Sequence, residues 1–207
     1  MHRSTLTALL VVATAAVLTL AACADQRVPT ESTRASAAPV ALSSGTIGGD
    51  HVAGIVAHDA CDPLTFNQTK FGPNTCLKEG NTTFDNFVAQ LLANHQAKGW
   101  HFTPDQATAR FGSDMLGNNV GGEVHTFTPV VAYGGSIIPD INALIGTGDA
   151  PTECNELDDD DKVASGTQYR IEAEELSRVA DANGIARIQC CIHPWMRAEI
   201  RLSGAAN

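Results

Sequence analysis

Between Thr82 and Gly99, Phe84, Phe87, Val88, Leu91 and Leu92 recur at the i, i+3, i+4, i+7, i+8 spacing that lines one face of a helix. Thr82 stands three residues before Asp85 like a capping pair, and Lys98-Gly99 supplies a cationic last turn and a stop, so the spacing predicts an amphipathic helix there. His95 lies on it as a solvent-facing residue. After Gly99 the period shortens. WHFTP, ATARFG, EVHTFTPVVAYGG, TQYRIEA, GIARIQC and RAEIRLS carry β-branched and aromatic residues between turn signals and read as strands. In the first of these, Trp100 and Phe102 share a face and His101 points the other way. Several short strands at close spacing imply a sandwich or barrel, with Ile141 to Gly166 as a long excursion from it.

The first half of the chain divides differently. Arg3 is followed by an apolar run from Leu6 to Leu20 and then by Leu20-Ala21-Ala22-Cys23. The run is short for a bilayer span and ends in small residues, which reads as a cleaved export signal over residues 1–22. Leu-Ala-Ala-Cys resembles the bacterial lipobox, which implies Cys23 as a lipidated first residue and a protein held outside the cytoplasm, membrane-anchored or periplasmic. Residues 23–52 are Ala, Ser, Thr, Pro and Gly with few bulky apolar side chains, a composition that serves as a tether. Residues 53–99, with a loop from Cys61 to Cys76 and the helix, then form an extension before a domain over 100–207. The formal net charge of -10 argues against nucleic acid and anionic lipid surfaces, and serves solubility as well as it would a cationic partner.

Export permits disulfides. Cys61 and Cys76 close a loop with little core of its own and are expected to pair. Five cysteines remain after Cys23, an odd number, so one thiol needs another use. QCCIHPWM offers it: Cys190, His193 and Met196 stand at C-x-x-H-x-x-M on one short loop between two strands. A copper site that cycles between two oxidation states uses one cysteine, two histidines and a weak methionine, because soft sulfur suits Cu(I) and imidazole suits both states. The loop supplies three of these, and His125, at the head of a predicted strand, supplies the second histidine.

WHFTP, GGEVHTFTPV and CCIHPWMRAEI together resemble the cupredoxin family of type 1 blue copper proteins, with the short ligand loop of amicyanin, over about Trp100 to Leu202. The resemblance implies a mainly β, Greek-key sandwich, carrying here an N-terminal amphipathic helix extension. It implies His125, Cys190 and His193 as strong ligands and Met196 as the axial one. It also implies a His193 edge near the surface, with Pro194, Trp195 and Met196 in an apolar rim where a redox partner, a cytochrome or a membrane oxidoreductase, would dock. Thr126 and Cys191 replace the Asn and Ser or Thr that in many members hydrogen-bond across the site, and the 65-residue gap from His125 to Cys190 is long for a small member. Cys190 has the ligand spacing, whereas Cys191 would point to the opposite side of an extended strand. Cys191 is then available to Cys154.

Three readings compete with electron transfer, one of them a metal-free adhesive or structural sandwich. The same ligands suit storage, delivery or sensing of copper, or an accessory domain of a larger redox complex. Cys154, Cys190, Cys191 and His193 make a zinc set, but Met is not a zinc ligand. There is no C-x-x-C, C-x-x-C-H, H-E-x-x-H or G-x-S-x-G, and the chain reads as a carrier and not an enzyme.

Overall fold

The computed structural model describes residues 53–204, so the expected export signal, Cys23 and the tether lie outside the described residues. Eight strands form two four-stranded sheets. In the first, β2 (His101–Thr103), β1 (Gly54–His58), β4 (Met115–Asn119) and β6 (Gln168–Ile171) lie in that order. The second runs β3 (Gln106–Arg110), β8 (Arg197–Ser203), β7 (Ile185–Gln189) and β5 (Thr128–Val130). β1 and β4 are parallel, as are β3 and β8, and the other neighbours are antiparallel.

Alternation builds the core. β1 and β4 bury every second side chain, as β8 does through Ala198 and Ile200. Ile55, Phe102, Met115 and Ile171 from the first sheet meet Ala186, Ile188, Ala198 and Ile200 from the second in one buried cluster, which makes the domain a mainly β sandwich. Trp100 and Phe102 are buried and His101 is exposed, as the period of two requires.

Two boundaries differ from the sequence expectation. β1 lies inside the segment read as an extension, yet it pairs with β2 on one side and β4 on the other, so residues 54–58 are part of the sandwich itself. The helix, α2 (Phe84–Asn94), is capped by Thr83, whose side chain accepts from the Asn86 amide, and not by Thr82. It stops at His95, which adopts the left-handed conformation (φ 58°) before Lys98-Gly99 is reached, and whose Nδ1 donates to the Ile145 carbonyl at 2.9 Å. Phe87 and Leu91 are buried, whereas Leu92 is 61% exposed, so the apolar stripe is narrower than the spacing suggested.

Short helices fill the connections: α1 (Pro63–Phe66) before α2, then α3 (Pro139–Ile145) and α4 (Thr152–Asn155) within the long excursion, and α5 (Ala173–Val179) between β6 and β7. The excursion returns to the site. Val163 exchanges both backbone hydrogen bonds with His125, at 3.1 and 2.8 Å. None of the helices among the described residues is long and apolar enough to cross a membrane.

Candidate metal centre

Cys190 follows the last residue of β7, and the loop after it closes on itself before β8 begins. The Cys190 amide donates to the Met196 carbonyl at 3.0 Å, and the Met196 amide donates to the His193 carbonyl at 2.9 Å. This tight turn returns His193 to the sulfur three residues earlier. His125 arrives from the other direction, fixed by its paired backbone with Val163 just ahead of β5.

The three side chains converge. Cys190 Sγ lies 3.7 Å from His125 Nδ1 and 3.8 Å from His193 Nδ1, all three residues are buried, and the donor atoms lie within 4.8 Å of one another. Bonds of about 2.3 Å from a metal to sulfur and about 2.05 Å to nitrogen, opened to about 120°, separate S from N by about 3.8 Å. The donor set therefore fits a single soft-to-borderline ion in a trigonal arrangement. Met196 is buried in the same cluster on the same loop.

The sulfur is prepared to be a thiolate. Burial pushes the Cys190 thiol up, but hydrogen bonds and charge from His125 and His193 outweigh it and hold the group well below the usual thiol range. The backbone amides of Thr126 and His193 each approach Sγ at 3.5 Å. Thr126 keeps a cross-site link by another route: its Oγ1 accepts from the Cys191 amide at 2.8 Å.

Behind each imidazole stands a carboxylate. His125 Nε2 donates to Asp59 Oδ2 at 3.0 Å, with both side chains at most 1% exposed. That bond orients the ring and turns Nδ1 toward Cys190, where it donates to the thiolate and becomes a metal donor once it gives up that proton. Asp59 also accepts from the amides of Gly122 (3.0 Å), Glu123 (2.9 Å) and Cys61 (3.3 Å). Burial alone would raise the Asp59 carboxyl, but these bonds, led by that from His125, lower it below the ordinary carboxylate range. Burial likewise opposes protonation of His125, and Asp59 with Cys190 overcomes it, carrying the imidazole up to about 9. Gly121 and Gly122 permit this approach: a Cβ on Gly121 would overlap the Asp59 carboxylate, and one on Gly122 would sit 2.7 Å from Cys61 Sγ.

His193 has a different backing. Its Nε2 lies 3.6 Å from Glu123 Oε2, the same oxygen that accepts from Trp100 Nε1. Burial raises the Glu123 carboxyl against the opposing pull of His193 and Trp100. Rings enclose the rest, with Trp195 at 5.6 Å between centroids and Phe87 and Trp100 each at 6.4 Å.

This enclosure corrects one expectation. His193 is 2% exposed, and Pro194 and Met196 are buried, so no histidine edge reaches the surface; Trp195 alone of the proposed rim is partly exposed. α2 contributes to this enclosure, its Phe87 packing on both His193 and Trp195.

Both expected pairs of cysteines are joined, Cys61 to Cys76 across Cα atoms 6.1 Å apart and Cys154 to Cys191 across 5.5 Å, and Cys190 is the free cysteine among the described residues. The zinc set is thereby excluded, because two of its sulfurs are in a disulfide. A second trio, Asp59, Cys61 and Glu123, also lies within 4.8 Å, but the Cys61 sulfur is in the other disulfide. Sequence reasoning missed Asp59 and Glu123. The signal for both was the Gly-Gly before Glu123 in GGEVH, which marks a close backbone approach.

Solved structures resemble the chain at low similarity, among them a cupredoxin and a plastocyanin. A novel purple cupredoxin from Nitrosopumilus maritimus matches at 11% identity and a TM-score of 0.36, over 73% of this chain and 99% of its own. The oxidized form of plastocyanin from Dryopteris crassirhizoma matches at 13% identity and a TM-score of 0.33, over 73% of this chain and 100% of its own. No family model and no curated protein matches the chain.

Proposed function

We propose that this chain is an exported, lipid-anchored copper-binding protein that passes single electrons. The observation that carries the reading is the free, buried Cys190 with an imidazole Nδ1 at 3.7 Å and another at 3.8 Å, while its neighbour Cys191 is in a disulfide. In this reading His125, Cys190 and His193 hold one type 1 ion, and Met196 is the weak axial ligand. Bound there, copper supplies one-electron chemistry between Cu(I) and Cu(II). The residues do the rest. Asp59 holds the His125 ring in place, the Thr126 and His193 amides orient the sulfur, and aromatic rings flank the His193 imidazole. Such an enclosed set opens no position to a substrate, which fits a carrier better than an enzyme. Cys23 anchors the domain, residues 23–52 tether it, and the partner is a cytochrome or membrane oxidoreductase that docks near Trp195, with no nucleic acid involved.

The burial of His193 favours a second reading, copper storage, delivery or sensing, or service as an accessory domain of a larger redox complex, because an enclosed ligand edge slows outer-sphere exchange. Absorption and EPR spectra after copper addition decide the shared part. Wild type should show an intense thiolate-to-copper band that Cys190→Ser abolishes and His125→Ala strongly alters; a wild type without the band overturns both readings. Reversible, rapid reduction by a small cytochrome then supports the carrier, and copper transfer to an acceptor without it supports the alternative.

A further inference from the structure

A cavity of about 440 Å³ opens beside the metal centre, on the side of His193. Its volume is that of a site for a small molecule. The mouth is spanned by the ion pair between Lys70 and Asp140, both exposed. The inner end is Glu123 and His193, both buried. Between them the walls are apolar, with Phe66, Phe84, Phe87 and Leu144 among the lining side chains. Phe66 meets Phe84 at 88° and Phe87 at 63°, edge-to-face arrangements that build the aromatic wall.

The inner end sets the polarity. Glu123 Oε2 accepts from Trp100 Nε1, whereas Oε1 accepts from none of the described residues. A hydrocarbon in the cavity would shut that acceptor away from water without a donor, which is unfavourable. An anion would face Glu123 in a protein of net charge -10. An ammonium carries three donors and would find one free acceptor at the inner end, with rings on the other sides. A neutral hydroxyl on an aromatic ring meets both requirements.

We propose that this cavity binds a small aromatic alcohol, its ring against Phe66, Phe84 and Phe87 and its hydroxyl donating to Glu123 beside His193. The binding stands on the cavity itself; its meaning rests on the copper reading, since a molecule seated there reaches the ligand edge that α2 closes to a protein partner.

The test uses the full chain free of metal, titrated with p-cresol, toluene and benzylamine and followed by amide chemical shifts and tryptophan fluorescence. Saturable p-cresol binding is expected, with the largest shifts at Val88, Glu123 and Leu144, and with toluene and benzylamine each weaker by roughly tenfold or more. Val88→Trp, which fills the cavity, should abolish p-cresol binding. Leu144→Phe should weaken it, and serves if the first variant does not fold. Absence of saturation, equal affinity for toluene, tighter benzylamine binding, or indifference to the filling variant overturns the site. Copper loading is scored separately. A protein that shows the copper band but no cresol binding sinks this inference alone, and one that binds cresol without a copper band sinks the copper reading and leaves the site.

Discussion

His125 and His193 each turn Nδ1 to Cys190 and Nε2 to a buried carboxylate, yet the two sides of the centre are built from different materials. Behind His125 stands an ionised Asp59 at 3.0 Å that also accepts three backbone amides, while Asn119 ties the adjoining backbone to Glu123 and Val163. Behind His193 the carboxylate is farther, at 3.6 Å, it resists ionisation, and the remaining neighbours are aromatic rings and a cavity. One ligand is clamped by directed polar bonds, and the other is held by shape. The comparison teaches that a site can fix one imidazole by directed bonds and leave the other beside open space.

The largest effect should come from the side held by shape. Phe87→Ala removes a buried ring that touches both His193 and Trp195 and should destabilise the fold by about 3–5 kcal/mol in urea unfolding, with new reactivity of His193 toward an imidazole reagent. A loss under about 1 kcal/mol would show that the rings do not hold that side. On the polar side, replacing Cys61 and Cys76 by serine should lower stability by about 3 kcal/mol, because the bridge closes a 15-residue separation and steadies the backbone that carries Asp59.

Acid should reveal the clamp next. Asp59 is held below its ordinary value of 3.8, so the native protein binds fewer protons there than the unfolded chain does. Its stabilisation is complete above about that pH and is lost as pH falls through the lower, native value, on the order of 2–3 kcal/mol in all. The acid limb of a denaturation profile of metal-free protein measures this, and Asp59→Asn should flatten it. The same variant should weaken copper binding by about 10- to 100-fold in competition with a chelator. Glu123→Gln, on the looser side, should change it by less than about tenfold. Equal losses from the two substitutions would erase the difference between the sides.

Much of the candidate centre was legible because its residues obey local rules. Cys190, His193 and Met196 share one turn, the period of two separates Cys190 from Cys191, and His125 stands at the head of a β segment. Asp59 was hidden because it lies 66 residues from His125 and touches it through tertiary folding alone. β4 was hidden by its Met-Leu-Gly-Asn-Asn sequence, poor in the branched residues that mark strands, and β1 by its place between the tether composition and a loop-rich segment, with Ile55 and Val56 its only branched residues. The burial of His193 was illegible for a related reason. Helical spacing shows that α2 has an apolar face but not which partner that face covers.

Two sulfurs joined by a single peptide link end in separate compartments. That of Cys191 lies with Cys154 and Val130 in a small satellite cluster, and that of Cys190 lies in the main core. Backbone direction at the end of one strand thus keeps neighbouring sulfurs from exchanging roles: residue 191 is cross-linked, while the adjacent one, facing the two imidazoles, is left free.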